Sequence, residues 1–314
     1  MDRMLCIVGP TASGKTALSV RLARELDAEI VSFDSMQVYR GMEIGTAAPT
    51  AREMGGIRHH MIGVADPTEA FSVSRYVQMA DACVQDILRR GKPVVLVGGT
   101  GLYIDSLIAG REFAPYPQTG RRQELEARAA REGIMPLYEQ LRRVDPEAAQ
   151  AIHPSNQKRV IRALEVWLES GKTISQHNRE SRAVPPKYAP LWLGVDLADR
   201  EEHKRRIDAR VDQMLRDGLL DEVRRLLARG VAPDSTAMQA IGYKELTPFV
   251  LGLTDDLPAA VDEIKLRTRQ YAKRQRTWFR RNESIHRLEV DRMTQDEIFH
   301  FIRPFLPEYG IWAG

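Results

Sequence analysis

The residues richest in chemistry lie between Gly9 and Thr16, in the stretch GPTASGKT. Gly9 and Gly14 with four residues between them, followed by Lys15 and Thr16, make the phosphate-cradling P-loop pattern. A helix that opens after a tight glycine turn presents unpaired backbone N–H groups and the positive end of its dipole to one point, and that point is an anion site. Lys15 adds a full charge for terminal phosphate oxygens, and the Thr16 hydroxyl suits Mg²⁺ bound to those same oxygens. A glycine turn closing an ordinary strand-to-helix unit would explain the glycines but not the Lys-Thr pair. The loop alone does not say which phosphate ester it holds or which group is transferred.

Such a loop works only between a buried strand and a helix. Met4 to Val8 is a continuous apolar run that reads as the strand, and Ala17 to Leu22 continues as the helix. Glu29 to Phe33 reads as a second strand and delivers Asp34-Ser35 at its C-terminal end, the edge of an open α/β sheet where ligands bind. Asp34 is therefore an active-site candidate, with a turn or helix-cap carboxylate as the ordinary alternative. The loop MQVYRGMEIGTAAP that follows carries Met36, Tyr39 and Met42 and reads as ligand-facing rather than as a linker. His59 and His60 are adjacent, so on a strand they point to opposite faces, and both are read as structural histidines rather than metal ligands.

Ser72 is read as the cap of a helix over Val73 to Arg90, stopped by Gly91. Pro93 to Val97 is a fully apolar strand of the kind buried on both faces of a parallel sheet, and it ends in Gly98-Gly99-Thr100-Gly101. Two small-residue loops and Asp34 then converge on one sheet edge. GGTG serves either as a turn before a helix over Leu102 to Ala109 or as a second phosphate loop in which Thr100 makes the contact.

From Phe113 the composition changes. Pro115 and Pro117 break the alternation, and Thr119 to Trp167 reads as helices rich in Arg, Glu and Gln, closed by Pro185-Pro186 and Pro190. This defines a helical insertion over residues 113–189 in an α/β core of residues 1–112 and 190–314. Lys158 to Arg162 places cations about a turn apart, a pattern also met on any solvated helix face. Leu191 to Asp196 resumes the sheet, and Arg200 to Arg229 reads as one charged helix with Arg206 and Arg210 spaced as a possible anion clamp. Lys265 to Arg281 holds eight Lys or Arg and no acidic residue, with Tyr271, Trp278 and Phe279 interleaved, and one-signed charge of this kind favours a polyanion.

The 314 residues suffice for one large or two smaller domains with a substantial core, and the net charge is only +3. Cys6 and Cys83 have no metal or redox spacing and are read as core residues of a protein in a reducing cytoplasm. No run approaches the ~20 apolar residues of a membrane span and the start reads as a core strand without a signal peptide, so no membrane partner is expected.

Taken together, GPTASGKT, DSMQVYRGMEIGTAAP, VGGTGLY, HPSNQKRVIRALEV, QAIGYKE and YAKRQRTWFR follow one another over nearly the whole chain in the order that resembles the tRNA dimethylallyltransferases, also called tRNA isopentenyltransferases. Ala48 and Ser155 depart from the Lys and Asn expected of that pattern. The resemblance implies a P-loop NTPase-like parallel sheet flanked by helices, with an inserted all-helical tRNA-binding domain. It also implies transfer of the dimethylallyl group from dimethylallyl diphosphate to N6 of the adenosine just 3′ of the anticodon, in tRNAs that read codons beginning with U. The P-loop would then hold a prenyl diphosphate although its pattern is that of ATP binding, with Mg²⁺ as cofactor, and the protein would act as a monomer.

On that resemblance Asp34 takes the proton of the attacking amine, because an aromatic amine is a weak nucleophile. Thr11 contacts the oxygen bridging carbon and phosphorus, while Lys15 and Arg210 neutralise the departing diphosphate. Gly9, Pro10, Thr11, Ala12, Ser13, Gly14, Lys15, Thr16, Thr100 and Arg210 are implied for the diphosphate, with Thr16 at the metal. The tRNA anticodon stem-loop is implied for Asp34, Ser35, Met36, Gln37, Thr100, Gln123, Lys158, Arg159, Val160, Ile161, Arg162, Gly242, Lys273, Arg274 and Arg276. Ser35 and Gln37 would read the edge of an adenine flipped from its stack. Two rival readings are a small-molecule or nucleoside kinase, which shares the P-loop and sheet, and a nucleic-acid-binding module, which would leave Asp34 and both glycine loops idle.

Overall fold

The structure is a computed structural model that describes residues 3–111, 119–183 and 185–311. Phe113, Pro115 and Pro117, where the sequence changes character, lie outside the described residues. The chain forms two compact units, Met1–Gly110 with Tyr188–Gly314, and Arg111–Lys187.

In the first unit the elements run β1 (Met4–Val8), α1 (Lys15–Glu25), β2 (Glu29–Ser32), α2 (Ala51–Met54), β3 (His59–His60), α3 (Val73–Arg89), β4 (Val94–Gly98) and α4 (Gly101–Ile108). The second unit contributes α5 (Arg121–Glu132), α6 (Met135–Val144), α7 (Pro146–Ala151), α8 (Gln157–Ser170) and α9 (Ile174–Ala183). The chain then returns to the first with β5 (Leu191–Asp196), α10 (Arg200–Arg216), α11 (Leu219–Ala228), α12 (Tyr243–Val250), α13 (Leu257–Phe279), β6 (His286–Glu289) and α14 (Gln295–Ile302).

The six strands form one parallel sheet in the order β3-β2-β4-β1-β5-β6. Val8 pairs with Gly98 on one side and Gly194 on the other, and Ser32 with Val97, so β1, β2 and β4 end within a residue of one another and β5 runs two residues further at the same edge. Their loops therefore open together, as the sequence leads one to expect of a parallel sheet. Leu5, Ile7, Ile30, Val95 and Leu193 share one core with Leu18 and Leu22 of α1 and Ile298 and Ile302 of α14. Across the sheet Tyr76 of α3 stacks on Tyr103 of α4 at 4.3 Å and donates to Ser32 O. Cys6 is fully buried and Cys83 half-buried, both as free thiols.

Ser72 caps α3, its hydroxyl accepting from Arg75 N at 3.2 Å. The two histidines take up structural bonds: His60 pairs with the buried Glu29 at 2.8 Å, and His59 bonds Ile57 O through Nδ1. One expectation fails. The charged segment after β5 is two helices, not one, because the chain turns at Asp217-Gly218, with Gly218 at φ 98.

The helical unit has its own core, built from Leu125, Leu137, Leu141, Val160, Ile161 and Leu164 with smaller residues around them. Asp145 anchors it from inside, accepting from Ala148 N at the start of α7 and from Ser175 N in α9, both at 3.1 Å.

Candidate active site

The phosphate loop joins β1 to α1, and Lys15 is the first helical residue. No side chain caps this helix, so the N–H groups of its first turn stay available to an anion. Ala12 sits at φ 60, uncommon for a residue with a Cβ, so its neighbours must hold the turn. Lys15 Nζ donates to Pro10 O at 2.5 Å. Burial, aided by the nearby Arg210 cation and opposed by Asp34 and Asp196, lowers the Lys15 ammonium to about 7.

One cavity of about 320 Å³ opens beside this loop. Thr11, Ala12, Lys15 and Thr16 line it together with Asp34, Ser35, Met36, Gln37, Arg210, Gly242 and Arg274, so most of the implied chemistry converges on one space. Its apolar wall includes Ile207, Val211 and Met214 of α10 and Ile241.

Asp34 follows β2 directly. Its Oδ1 accepts from Met36 N at 2.9 Å and Gln37 N at 3.3 Å, which closes the turn, while among the described residues Oδ2 accepts no hydrogen bond. The turn carboxylate is thus observed, and the same side chain lines the cavity. Gln37 is more committed than the sequence suggests. Its Nε2 donates to Thr46 O at 3.3 Å and Ala47 O at 3.2 Å, and its Oε1 accepts from Ser32 Oγ.

Thr100 does not line the cavity. Its hydroxyl accepts from Ser35 N at 3.0 Å and faces Ser35 Oγ at 3.3 Å, so in this structure it ties β4's loop to β2's loop instead of facing the phosphate turn. Gly99 and Gly101 of GGTG serve the approach of α13, while Gly98 makes room for Phe33. A Cβ on Gly99 would lie 1.9 Å from Gln275 Nε2, and one on Gly101 would lie 2.1 Å from Trp278 Nε1.

The possible clamp on α10 divides. Arg210 is half-buried and donates to Thr11 Oγ1 at 3.3 Å, whereas Arg206 is exposed and bonded to Glu202 at 2.9 Å, so only Arg210 belongs to the site. Burial lowers the Arg210 pKa from its usual value, with Asp34 and Glu53 opposing. Tyr271 also lines the cavity, its phenol held protonated by burial and by the Asp34 charge.

The basic helix α13 carries less free charge than its composition implies. Lys265 pairs with Asp212, Arg269 with Asp208, Arg267 with Glu263, and Arg276 with Asp196. Arg276 is thus an internal group, its Nε 3.1 Å from both Asp196 oxygens and its Nη2 on His203. Lys273 and Arg274 are exposed and, among the described residues, have no carboxylate partner.

In the helical unit Gln123, Lys158, Arg159 and Arg162 are exposed, Arg162 with Glu165 as an i,i+3 partner at 2.9 Å. Val160 and Ile161 require correction as RNA contacts: their side chains are 0% and 3% exposed in this unit's core, because they fall on the inner face of α8. Three further residues carry no individual signal in the sequence, although Gln275 falls within YAKRQRTWFR. His203, Gln275 and Glu222 are buried polar groups whose partners lie 192, 264 and 178 residues away, and such bonds leave no local signature.

For Mg²⁺ the donor set is limited but suitable. No cluster of three or more His, Cys, Asp or Glu exists among the described residues, while the Thr16 hydroxyl opens on the cavity. Mg²⁺ commonly keeps one or two protein ligands and takes the rest from phosphate and water, so this site fits a metal that arrives with a diphosphate.

The sequence model of the IPP transferase family matches residues 37–282. The tRNA dimethylallyltransferase of Acetivibrio thermocellus is 43% identical over 314 residues, 99% of this chain and 100% of that protein. That of Thermoanaerobacter sp. is 45% identical over 291 residues, 92% of each chain. Among solved structures, the full-length tRNA isopentenylpyrophosphate transferase of Bacillus halodurans superposes with a TM-score of 0.72 at 40% identity, covering 99% of this chain and 98% of that one. A eukaryotic dimethylallyltransferase acting on tRNA gives a TM-score of 0.83 at 29% identity, covering 98% of this chain and 80% of that one. With the phosphate loop, the Asp34 turn and the apolar wall in one cavity, and with these likenesses over nearly its full length, the chain belongs to the IPP transferase family of tRNA dimethylallyltransferases.

Proposed function

We propose that the protein transfers the dimethylallyl group of dimethylallyl diphosphate to N6 of the adenosine immediately 3′ of the anticodon, in tRNAs reading codons that begin with U, releasing diphosphate. The observation that carries the reading is the composition of the cavity, where the Lys15 amine, the Arg210 guanidinium, an apolar α10 wall and an Asp34 Oδ2 that accepts no hydrogen bond among the described residues share about 320 Å³. An isoprenoid diphosphate needs an anion end and an apolar end side by side. A cavity near the lower end of the ~300–1,000 Å³ range of ligand pockets suits a five-carbon tail and one unstacked base.

In the transfer, the N6 lone pair forms the new C–N bond, the C–O bond to diphosphate breaks, and Asp34 takes the N6 proton. Lys15, the amides of the loop and Arg210 meet charge that grows on the departing diphosphate, and the Thr11 hydroxyl is proposed to contact the bridging oxygen. Thr16 would hold Mg²⁺ on the diphosphate, where the ion supplies further charge neutralisation. Exposed Lys273 and Arg274 and the cations of α8 are proposed contacts to the anticodon stem-loop, the tRNA partner, with the protein acting as a cytoplasmic monomer. The kinase alternative needs a nucleotide-base pocket with tight ATP binding, which the apolar wall does not favour.

The test is transfer of labelled dimethylallyl to an anticodon stem-loop bearing adenosine 3′ of the anticodon, with ATP in parallel. Wild type is expected to label the RNA without ATP, and Asp34→Ala to bind RNA while losing transfer by ~100-fold or more. Consumption of the ATP γ-phosphate with no labelled RNA would replace this reading with the kinase one.

A further inference from the structure

Thr11 is held from three sides by side chains distant in sequence. Its N–H donates to Gln275 Oε1 at 2.8 Å, its carbonyl is 2.8 Å from His203 Nε2, and its hydroxyl accepts from Arg210 at 3.3 Å. Gln275 is 5% exposed and His203 is 1% exposed. Gln275 also donates from Nε2 to Gly99 O at 3.1 Å, so a single amide spans both glycine loops, and the 1.9 Å approach at Gly99 leaves no room for a Cβ there.

The His203 ring has one arrangement open to it. Arginine has donors only, so Nδ1, which meets Arg276 Nη2, must be the acceptor, and the proton sits on Nε2, where it donates to the Thr11 carbonyl. Asp196 fixes Arg276 from behind through two contacts of 3.1 Å. Burial, with Arg276 beside it, also lowers the His203 pKa and keeps the ring neutral against the Thr11 bond that opposes. A chain Asp196–Arg276–His203–Thr11 therefore runs from the end of β5 through α13 and α10 to the phosphate loop. The next residue, Ala12, sits at φ 60, so the Thr11–Ala12 turn is one that the backbone would not hold unaided.

We propose that His203 and Gln275 are positioning residues of the transfer step, which grip the Thr11 peptide by its carbonyl and its N–H so that the Thr11 hydroxyl and Arg210 meet the departing diphosphate in one geometry. The inference rests on the transfer reading above. His203 does not line the cavity, and Gln275, which does, has its amide oxygen and nitrogen committed to Thr11 N and Gly99 O, so both act through Thr11. Because charge on the bridging oxygen grows only as the C–O bond breaks, misplacing Thr11 weakens the transition state more than the ground state.

The experiment compares His203→Leu, His203→Gln, Gln275→Met and Gln275→Glu with wild type in the labelled-prenyl assay, alongside melting curves and binding of the stem-loop. His203→Leu and Gln275→Met are expected to lower kcat by about 10- to 100-fold, with KM for RNA and for the prenyl diphosphate within about threefold. His203→Gln, which keeps a donor near the Nε2 position, is expected to recover most of the lost kcat. Gln275→Glu keeps the acceptor for Thr11 N and should fall between. The double variant should cost less than the product of the single losses, since both act on one peptide. Wild-type kcat in folded His203→Leu or Gln275→Met overturns the proposal, as does a loss confined to KM or one that His203→Gln fails to recover. Should the leucine variant not fold, the same criteria are read from the glutamine and Gln275 variants. Failure of wild type itself to transfer would instead sink the transfer reading.

Discussion

Lys15 combines function and cost in one side chain. In the folded protein its pKa is about 7 because burial penalises the ammonium, against about 10.4 for an unfolded lysine. A lysine whose folded pKa is depressed holds fewer protons folded than unfolded, so it weakens stability fully below pH 7, and that penalty shrinks as pH rises from about 7 toward 10. Lys15→Met is therefore expected to raise Tm, more at pH 6 than at pH 9, while abolishing transfer; an unchanged or lowered Tm at pH 6 would contradict the burial argument. An arriving diphosphate restores the charge. Calorimetry with inorganic pyrophosphate in buffers of different ionisation enthalpy should find about one more proton taken up near pH 8 by wild type than by Lys15→Met.

At the scale of elements, the stretch after Asp34 is kept in place by a buried carboxylate. Glu222 of α11, 1% exposed, accepts from Ile44 N and Gly45 N at 3.0 Å and from the Tyr243 hydroxyl at 2.5 Å. The Tyr243 ring lies so close to Gly45 that a Cβ there would meet it at 2.5 Å. This loop supplies the carbonyls of Thr46 and Ala47 that orient Gln37. Gly45→Ala should therefore disturb a cavity wall, lowering kcat/KM by about tenfold or more, with Tm falling by a few degrees. Steady-state kinetics at wild-type levels would show that the loop tolerates the shift. The same elements mark how far sequence reading reaches. β1 and β4 are continuous apolar runs that read as strands of a buried sheet, and the P-loop and Asp34 fall at strand ends, so those positions were legible. Glu222, His203 and Gln275 were not, since periodicity and propensity record a residue's neighbours along the chain and not a partner that arrives from another helix. Composition misled on α13, because its one-signed stretch from Lys265 looks free until Asp196, Asp208 and Asp212 from other elements are placed against it.

For the molecule as a whole, electrostatics separate into an internal and an external set. If exposed Lys273 contacts an RNA phosphate, Lys273→Ala should reduce the slope of log K against log salt for stem-loop binding by about 0.7–0.9. Arg276→Ala should leave that slope unchanged and lower Tm, because Arg276 is partly buried and already paired with Asp196 and His203. An equal slope change for both would erase the distinction. Among the described residues no helix is long and apolar enough to cross a membrane. The Gln275 bond to Thr11 N has a consequence of timing. The two residues are 264 positions apart, so a nascent chain displays its phosphate loop long before the ribosome has made the amide that holds it. Synthesis thus delivers the anion-binding turn well before its brace, and a product cut short before α13 would carry the recognisable motif without the geometry that gives it meaning.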